Sequence, residues 1–438
     1  MLNQFNRYQK AAIILLAVIA VIFLWLYLSS AIFFNLANLS EGNLRPWSII
    51  QYFVAYSNND IIFKKLLIAI VIPPFIVVIL SLIALFKKES IFGNARFATT
   101  AEIKEANLFG GEGILLGKRG GKFIVAEGTE HVLVAAPSRS GKGVGIVVPN
   151  LLNWNGSAVV LDVKKENFSI TSGFRRKCGH QVYLFDPADP KGMTDCYNPL
   201  DIVSNNPLLR INDIQKIANF LAPNPMDGDP MWASEARKLF LSAVLFLQDT
   251  GKDLTLGEVY RFINGNTVED MDELLAESEA TLDPACINNM INFISMGDKQ
   301  RSGVKSTLTS ALDLFDNPLI DAATSKSDFS FAELRKKKIT IYVGVTPNNL
   351  SRLKPLLNLF FQQCIDYQTQ SLPDKKTEPE KILLLMDEFT ALGRMDIIKD
   401  GMAFFAGYHI RLMPIIQGPS QLADKYGEDG KRSMISNF

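Results

Sequence analysis

Lys142 is the residue on which a chemical reading of this chain turns. It lies in "HVLVAAPSRSGKGVGIVVP", residues 131–149, where an apolar run suited to a buried strand meets a tight turn and then a run that can open a helix. Strand, turn and helix in that order aim backbone N–H groups and a positive helix end at a phosphate. The usual loop of this kind is G-x-x-x-x-G-K-[ST]: glycines fold the backbone around phosphate oxygens, the lysine reaches the outer phosphates, and the hydroxyl holds magnesium. Here Ala136 replaces the first glycine and Gly143 the hydroxyl residue, while Gly141 and Lys142 keep the pattern. Alanine is compatible with a negative φ. The missing magnesium ligand falls to water or to a nearby hydroxyl such as Ser140. The competing reading is a basic turn between strand and helix.

A second group lies far downstream in "KILLLMDEFTALG", residues 381–393. Four apolar residues and Met386 suit a central strand buried on both faces, and Asp387 and Glu388 arrive where it ends. Beside a lysine loop, one carboxylate can organise hydrated Mg2+ and the other can activate water against the outer phosphate of ATP. Asp387 takes the first role and Glu388 the second. In "IRLMPIIQG", Gln417 follows another strand-like run, placed either to sense the γ-phosphate or simply to end the strand; Pro414 demands an edge, a bulge or an early end to hydrogen bonding.

These residues need a sheet to hold them. "SAVVLDVKKEN" and "QVYLFDPADP" place Asp162 and Asp186 after apolar strands, as at the ligand-binding end of a parallel sheet, although capping a turn is the alternative, favoured for Asp186 and Asp189. Strand character returns at residues 338–347, and "RLKPLLNLFFQQCI" reads as a helix packed toward the sheet. The intervening chain is too long for ordinary crossovers. Residues 208–320 hold the helical stretches "DIQKIANFL", "WASEARKLFLSAVLFLQ", "LTLGEVYRFI" and "GVKSTLTSALDLF", so we infer an inserted all-alpha domain. Leu239, Leu241, Val244, Leu245 and Leu247 are expected to line one side of a helix. Lys299, Arg301 and Lys305 form a basic patch suited either to phosphates or to solvent.

The 438 residues carry 45 acidic and 45 basic side chains, so bulk charge gives no nucleic-acid signature. The four cysteines lack paired-ligand spacing and suit reduced thiols. Two apolar runs, Ala11 to Leu28 (extended by "AIFF") and Leu66 to Phe86, are long enough to cross a bilayer; a signal peptide is the competing reading of the first, without a cleavage pattern. Pro73 and Pro74 inside the second predict a kink and freed carbonyls that neighbours must satisfy. Arg7 and Lys10 favour an inward N-terminus, Lys64, Lys65, Lys87 and Lys88 flank the second run, and a body that needs ATP places both termini in the cytoplasm.

The ordered set of two spans, "GNARFAT" (93–99), "GILLGK" (113–118), "APSRSGKGVGIVVPNLL", "VVLDVKKE", "FDP" (185–187), "FISMGD", "SDFSFAELRKKKITIYVGV", "LLLMDEFTALG" and "IIQGPSQLADKYG" resembles the type IV secretion coupling proteins, the conjugative TraG and TraD family of membrane-anchored ATPases. The resemblance implies an α/β, RecA-like P-loop nucleotide-binding domain with an all-alpha insertion and a two-span transmembrane anchor. The expected organisation is 1–90 anchor with external loop, 91–207 first nucleotide-binding part, 208–320 insertion, and 321–438 second part. By motif match, Ala136, Pro137, Ser138, Arg139, Ser140, Gly141, Lys142, Gly143 and Val144 bind ATP, with Lys142, Glu388 and Gln417 catalytic and Asp387 on Mg2+. Glycine at 143 is tolerated in that family's "SRSGKG" forms. A homo-hexamer at the bacterial inner membrane is implied, with secretion channel components and relaxase–DNA complexes, single-stranded DNA or effector proteins as partners. Family members continue beyond "QLADKYG", so Phe438 is expected to leave sheet strands missing; no arginine precedes the last strand as in some motors, and Arg432 is a weak substitute. A nucleotide-dependent scaffold or gate, and a chromosome-partitioning DNA pump, are the alternatives.

Overall fold

The computed structural model describes residues 7–40, 44–85, 96–225 and 229–438, and the chain divides into two units, Met1–Phe97 and Ala98–Phe438. Lys87, Lys88 and the first three residues of "GNARFAT" lie outside the described residues, as do the side chains of Arg7 and Lys10.

In the first unit, α1 (Arg7–Ala37), α2 (Ser48–Ala55) and α3 (Asp60–Leu85) pack around Phe33, Phe34, Ile49, Leu66 and Ala69. Among the described residues, two helices are long and apolar enough to span a membrane, over Val18–Ala37 and Asp60–Leu80. Val21, Leu24, Val71, Phe75 and Val77 are more than half exposed, as residues facing lipid would be. The segment between the spans is not plain loop, since α2 occupies its middle. α3 is helical through Pro73 and Pro74. Pro74 cannot donate to the carbonyl of Ile70, one turn back. The Trp25 indole of α1 donates to that oxygen instead, at 3.1 Å. A neighbouring helix thus satisfies a carbonyl that hydrocarbon could not.

The second unit opens with α4 (Thr100–Glu105), whose Thr99 and Glu102 form a capping box, and an antiparallel hairpin, β1 (Ile114–Arg119) and β2 (Lys122–Ala126). A parallel sheet follows, built from β3 (Val134–Ala135), β4 (Ser157–Val163), β5 (Gln181–Phe185), β6 (Ile339–Val345), β7 (Ile382–Met386) and β8 (Ile410–Ile416) in the order β3-β8-β7-β4-β6-β5. The period-two alternation of strand side chains divides the core. Val159, Leu161, Ile341, Val343, Leu384 and Met386 face one cluster; Ala158, Val160, Tyr342, Leu383 and Leu385 face the other, against Leu151 and Trp154 of the P-loop helix region. β7 is buried throughout, as expected of a central strand.

β3 is shorter than its apolar run suggests. β8 registers with β7 as far as Met386↔Pro414 and with β3 only at Ile415 and Ile416. Leu412 O and Ile416 O accept Val132 and Ala136 N–H, so residue 414 also faces β3; Pro414 has no N–H to give there, and regular β3 pairing is confined to the residues beyond it.

Helices α5 (Val148–Asn153), α6 (Glu166–Lys177), α14 (Pro347–Thr369), α15 (Asp396–Phe405) and α16 (Ser420–Ile435) connect or flank the strands; α16 is interrupted at Gly427, where φ is 73°. Between β5 and β6 stand seven α-helices among the described residues: α7 (Pro207–Leu221), α8 (Met231–Asp249), α9 (Leu256–Gly265), α10 (Val268–Ser278), α11 (Pro284–Ile294), α12 (Asp298–Leu312) and α13 (Pro318–Ala323). The expectation that α8 offers one apolar side is corrected: every residue from Leu239 to Leu247 is buried. α7, α9, α11 and α12 all pack on it, so it is the axis of the insertion. In the basic patch, Arg301 donates to the carbonyls of Ile294 and Met296 and pairs with Asp298, and Lys305 donates to Asn266 O; Lys299 is exposed.

Candidate nucleotide-binding site

Three adjoining parallel strands, β3, β8 and β7, end at one place, and the sequence-predicted residues leave them there. Ala136 N–H donates to Ile416 O at 2.9 Å, which sets the start of the loop beside the start of Gln417. Ala136 does not adopt a positive φ, so its replacement of glycine costs no backbone strain. The turn takes its left-handed steps at Arg139 (φ 62°) and Gly141 (φ 84°). The helix that follows begins as a wide π turn, Gly143–Val147, before α5, a form that recurs at functional sites. Pro137, Ser138, Arg139, Ser140, Gly141 and Val144 are exposed along this loop.

Lys142 points back over the strand ends. Its Nζ lies 2.5 Å from Glu388 Oε1 and 3.9 Å from Asp387 Oδ1. Gln417 Nε2 donates to the other Glu388 oxygen at 3.3 Å, while Gln417 N–H donates to Gln421 Oε1. Four residues separated by up to 275 positions thus form one chain of contacts, Gln417 to Glu388 to Lys142 to Asp387. Glu388 itself sits at φ 58°, an uncommon conformation for a residue with a side chain and one that gathers at functional sites.

Asp387 has the character of a divalent-ion ligand. Burial raises its pKa against the pull of Lys142, and Glu388 adds to the rise. Its Oδ1 is buried and has no hydrogen-bond partner. Mg2+ is commonly held by one or two carboxylates together with substrate phosphates and water, and this open, hard oxygen beside the lysine loop fits that donor set. Ser140, the alternative hydroxyl, is exposed and its N–H donates to Pro137 O.

Asp162 does not join the group. It lies inside β4 rather than after it, wholly buried, and accepts the N–H groups of Asn167 (3.2 Å) and Phe168 (2.7 Å) at the start of α6. Burial lifts its pKa to about 6 in spite of those donors. Asp186 and Asp189 close their turn as expected: both take Lys165 Nζ, at 2.7 and 3.0 Å, and Asp189 also accepts from Lys191 and Met193 N–H. Arg432 pairs loosely with Asp429 and is 81% exposed. All four cysteines are free.

Residues that the sequence reading passed over hold the loop in place. Asn150 pairs its amide with the Leu115 backbone of β1, at 2.8 and 3.0 Å, and also donates to Ile146 O. Arg175, buried on α6, donates to the carbonyls of Leu151, Trp154 and Gly156, to Thr340 Oγ1 and to His180 Nδ1. A polar residue inside "VVPNLL" was a readable signal for Asn150; nothing local marks Arg175.

The family described as type IV secretory system conjugative DNA transfer is matched over residues 85–438. Protein VirD4 of Agrobacterium fabrum is 36% identical over 383 residues, covering 84% of this chain and 57% of that protein. The conjugal transfer protein TraG of Escherichia coli is 30% identical over 341 residues, covering 72% of this chain and 53% of that protein. This chain therefore spans little more than half the length of these curated relatives. Among solved structures, the plasmid coupling protein TrwB in complex with the non-hydrolysable ATP analogue ADPNP matches with a TM-score of 0.57 at 19% identity, over 78% of this chain and 76% of that one. TrwB in complex with ADP and Mg2+ matches equally well, at 18% identity. The shared architecture is the RecA-like α/β P-loop fold with an inserted helical domain.

Proposed function

The chain belongs to the type IV secretory system conjugative DNA transfer family, and from that premise we propose that it is a membrane-anchored coupling protein that hydrolyses ATP to deliver DNA–protein or protein substrates to a secretion channel. The observation that carries the reading is the convergence of Lys142, Asp387, Glu388 and Gln417 at the ends of adjoining parallel strands. In this reading residues 136–144 bind the nucleotide. Lys142 exchanges its carboxylate partner for the outer phosphates, where its charge meets charge developing during transfer. Asp387 holds the metal through its open oxygen. Bound Mg2+ supplies neutralisation of phosphate charge. Glu388 accepts the proton of the attacking water, and the Gln417 amide, already on Glu388, orients that water or the γ-phosphate.

Residues 91–207 and 321–438 together form the nucleotide-binding domain, 208–320 is the insertion, and 1–90 is the anchor with its external loop. The molecule works as a homo-hexamer at the bacterial inner membrane, with both ends of the anchor leading into the cytoplasm. Its partners are the channel components and relaxase–DNA complexes, single-stranded DNA or effector proteins.

The test is ATP turnover by the detergent-solubilised protein with and without single-stranded DNA, beside Lys142→Ala. The expected result is hydrolysis that DNA stimulates and that the variant lacks, with sharply weaker ATP binding. Equal turnover in Lys142→Ala would overturn the assignment of the loop. Nucleotide binding without any hydrolysis would favour a scaffold or gate over a motor.

A further inference from the structure

Gln417 leaves β8 with its backbone already fastened. Its N–H donates to Oε1 of Gln421 at 2.9 Å, in the first turn of α16. An N–H needs an acceptor, so this contact also fixes which end of the Gln421 amide faces the strand. The segment between the two glutamines is closed as well: Gln421 N–H donates to Gly418 O at 3.1 Å, and Pro419 has its φ set by its own ring. The end of β8 is thus tied to the start of α16 by two hydrogen bonds, one from each glutamine backbone.

α16 is itself held in place. Leu422, next to Gln421, is wholly buried. One turn further, Tyr426 lies parallel to Phe389 within 5°, with ring centroids 6.2 Å apart, and its hydroxyl accepts Met395 N–H at 3.1 Å. Phe389 directly follows Glu388. Ahead of its break at Gly427, α16 therefore meets both sides of the contact between Gln417 Nε2 and Glu388 Oε2: the strand end through Gln421, and the residue after the acid through Tyr426. None of these contacts involves the loop of residues 136–144.

We propose that Gln421 is a positioning residue for Gln417: its Oε1 holds the Gln417 backbone where the Gln417 amide reaches Glu388. The proposal rests on the reading of Gln417 as the residue that orients the attacking water or the γ-phosphate. In that reading the loop binds the nucleotide and Gln417 serves the reaction, so loss of Gln421 acts on turnover rather than on binding. The net worth of one hydrogen bond between neutral groups corresponds to about 3- to 10-fold, which sets the scale of the effect.

The experiment measures kcat, KM for ATP and the affinity for a fluorescent ADP in the full-length, detergent-solubilised protein, as the parent, Gln421→Met, Gln421→Glu, Gln417→Ala and the double variant Gln417→Ala/Gln421→Met. Methionine keeps the length and helix propensity of glutamine, so it removes the acceptor oxygen at little cost to folding. Glutamate keeps an acceptor oxygen and is favoured at a helix start. Gln421→Met should lower kcat about 3- to 10-fold, while KM and ADP affinity stay within about twofold of the parent. Gln421→Glu should keep kcat within about twofold of the parent, because Gln417 N–H retains its acceptor. In the Gln417→Ala background, Gln421→Met should change kcat by less than about twofold, because its effect runs through the Gln417 side chain. Parental kcat in Gln421→Met, a Gln421→Glu variant as slow as Gln421→Met, or a full Gln421→Met effect that persists in Gln417→Ala overturns the proposal. Parental kcat in Gln417→Ala instead removes Gln417 from the reaction, and this proposal with it.

Discussion

Glu388 carries two contacts whose removal should have opposite effects on binding and on turnover. Its 2.5 Å contact to Lys142 makes it a competitor of phosphate for that lysine, while its place at the strand end suits a general base. Glu388→Gln should thus bind ATP at least as tightly as the parent and hydrolyse it about 10²- to 10⁴-fold more slowly. Asp387→Asn should instead raise the magnesium requirement, and more steeply than in a P-loop whose residue after the lysine bears a hydroxyl, because Gly143 supplies no ligand. Single-turnover hydrolysis and ATP affinity across a magnesium series read both; parental turnover in Glu388→Gln would remove it as the base. Lys142, Asp387, Glu388 and Gln417 were legible in the sequence because each sits at a strand end with a chemical type that a phosphate site needs. Asp162 was picked out as a residue following its strand, but the fold buries it within β4, where it accepts the N–H groups of Asn167 and Phe168 at the start of α6, a placement set by tertiary register rather than local sequence.

Arg175 shows how an element can govern the site without touching it. Its guanidinium ties the end of the P-loop helix to β4 and β6, and burial depresses its pKa to about 10. Arg175→Met would fill similar space but strand three carbonyls, each worth about 1–3 kcal/mol when buried unpaired, so a loss of about 3 kcal/mol or more is expected in urea unfolding. A loss under about 1 kcal/mol would show the brace to be dispensable. His180 beside it carries a pH signature. Burial, aided by Arg175 and Lys338, pushes its pKa from 6.5 down to about 4. The unfolded chain then takes up the proton first, so the His180 contribution is whole above about pH 6.5 and is lost as pH falls toward 4. His180→Gln, which offers Arg175 an acceptor that does not titrate, should lose less stability than the parent between pH 7 and 5; equal slopes would refute the link. The strands that the sequence revealed most clearly, β4, β6 and β7, are among those buried on both faces. β3 proved short because its neighbour carries Pro414, and α8 proved apolar all round because four helices close on it, which is a property of tertiary packing rather than of local pattern.

At the scale of the whole molecule, the proposed function sets an expected direction for the anchor. Trp25 donating to Ile70 O binds α1 to α3 where Pro74 removes a helical donor, so Trp25→Phe should weaken the hairpin by about 1 kcal/mol in mixed-micelle unfolding. An unaltered transition would mean that the carbonyl finds another partner. In the proposed reading the two helices among the described residues both cross the membrane, so the segments on either side of the hairpin share a compartment, and the proposed ATP-hydrolysing body assigns that compartment to the cytoplasm. Arg7 and Lys10 at the start of α1 agree with this orientation. Lys64 and Lys65 run against it, because in the proposed orientation they stand at the outer end of the second span. Both lie in the first turns of α3, however, with long side chains that can carry the ammonium groups to the interface while the stems stay with apolar surface. The proposed orientation accommodates their charge in this way. Reporter fusions should place residue 50, in α2, outside the cytoplasm and residue 130, ahead of the P-loop, inside it. A reporter at 50 that reads cytoplasmic, or one at 130 that reads external, would reverse the anchor and leave the lysine loop without access to ATP.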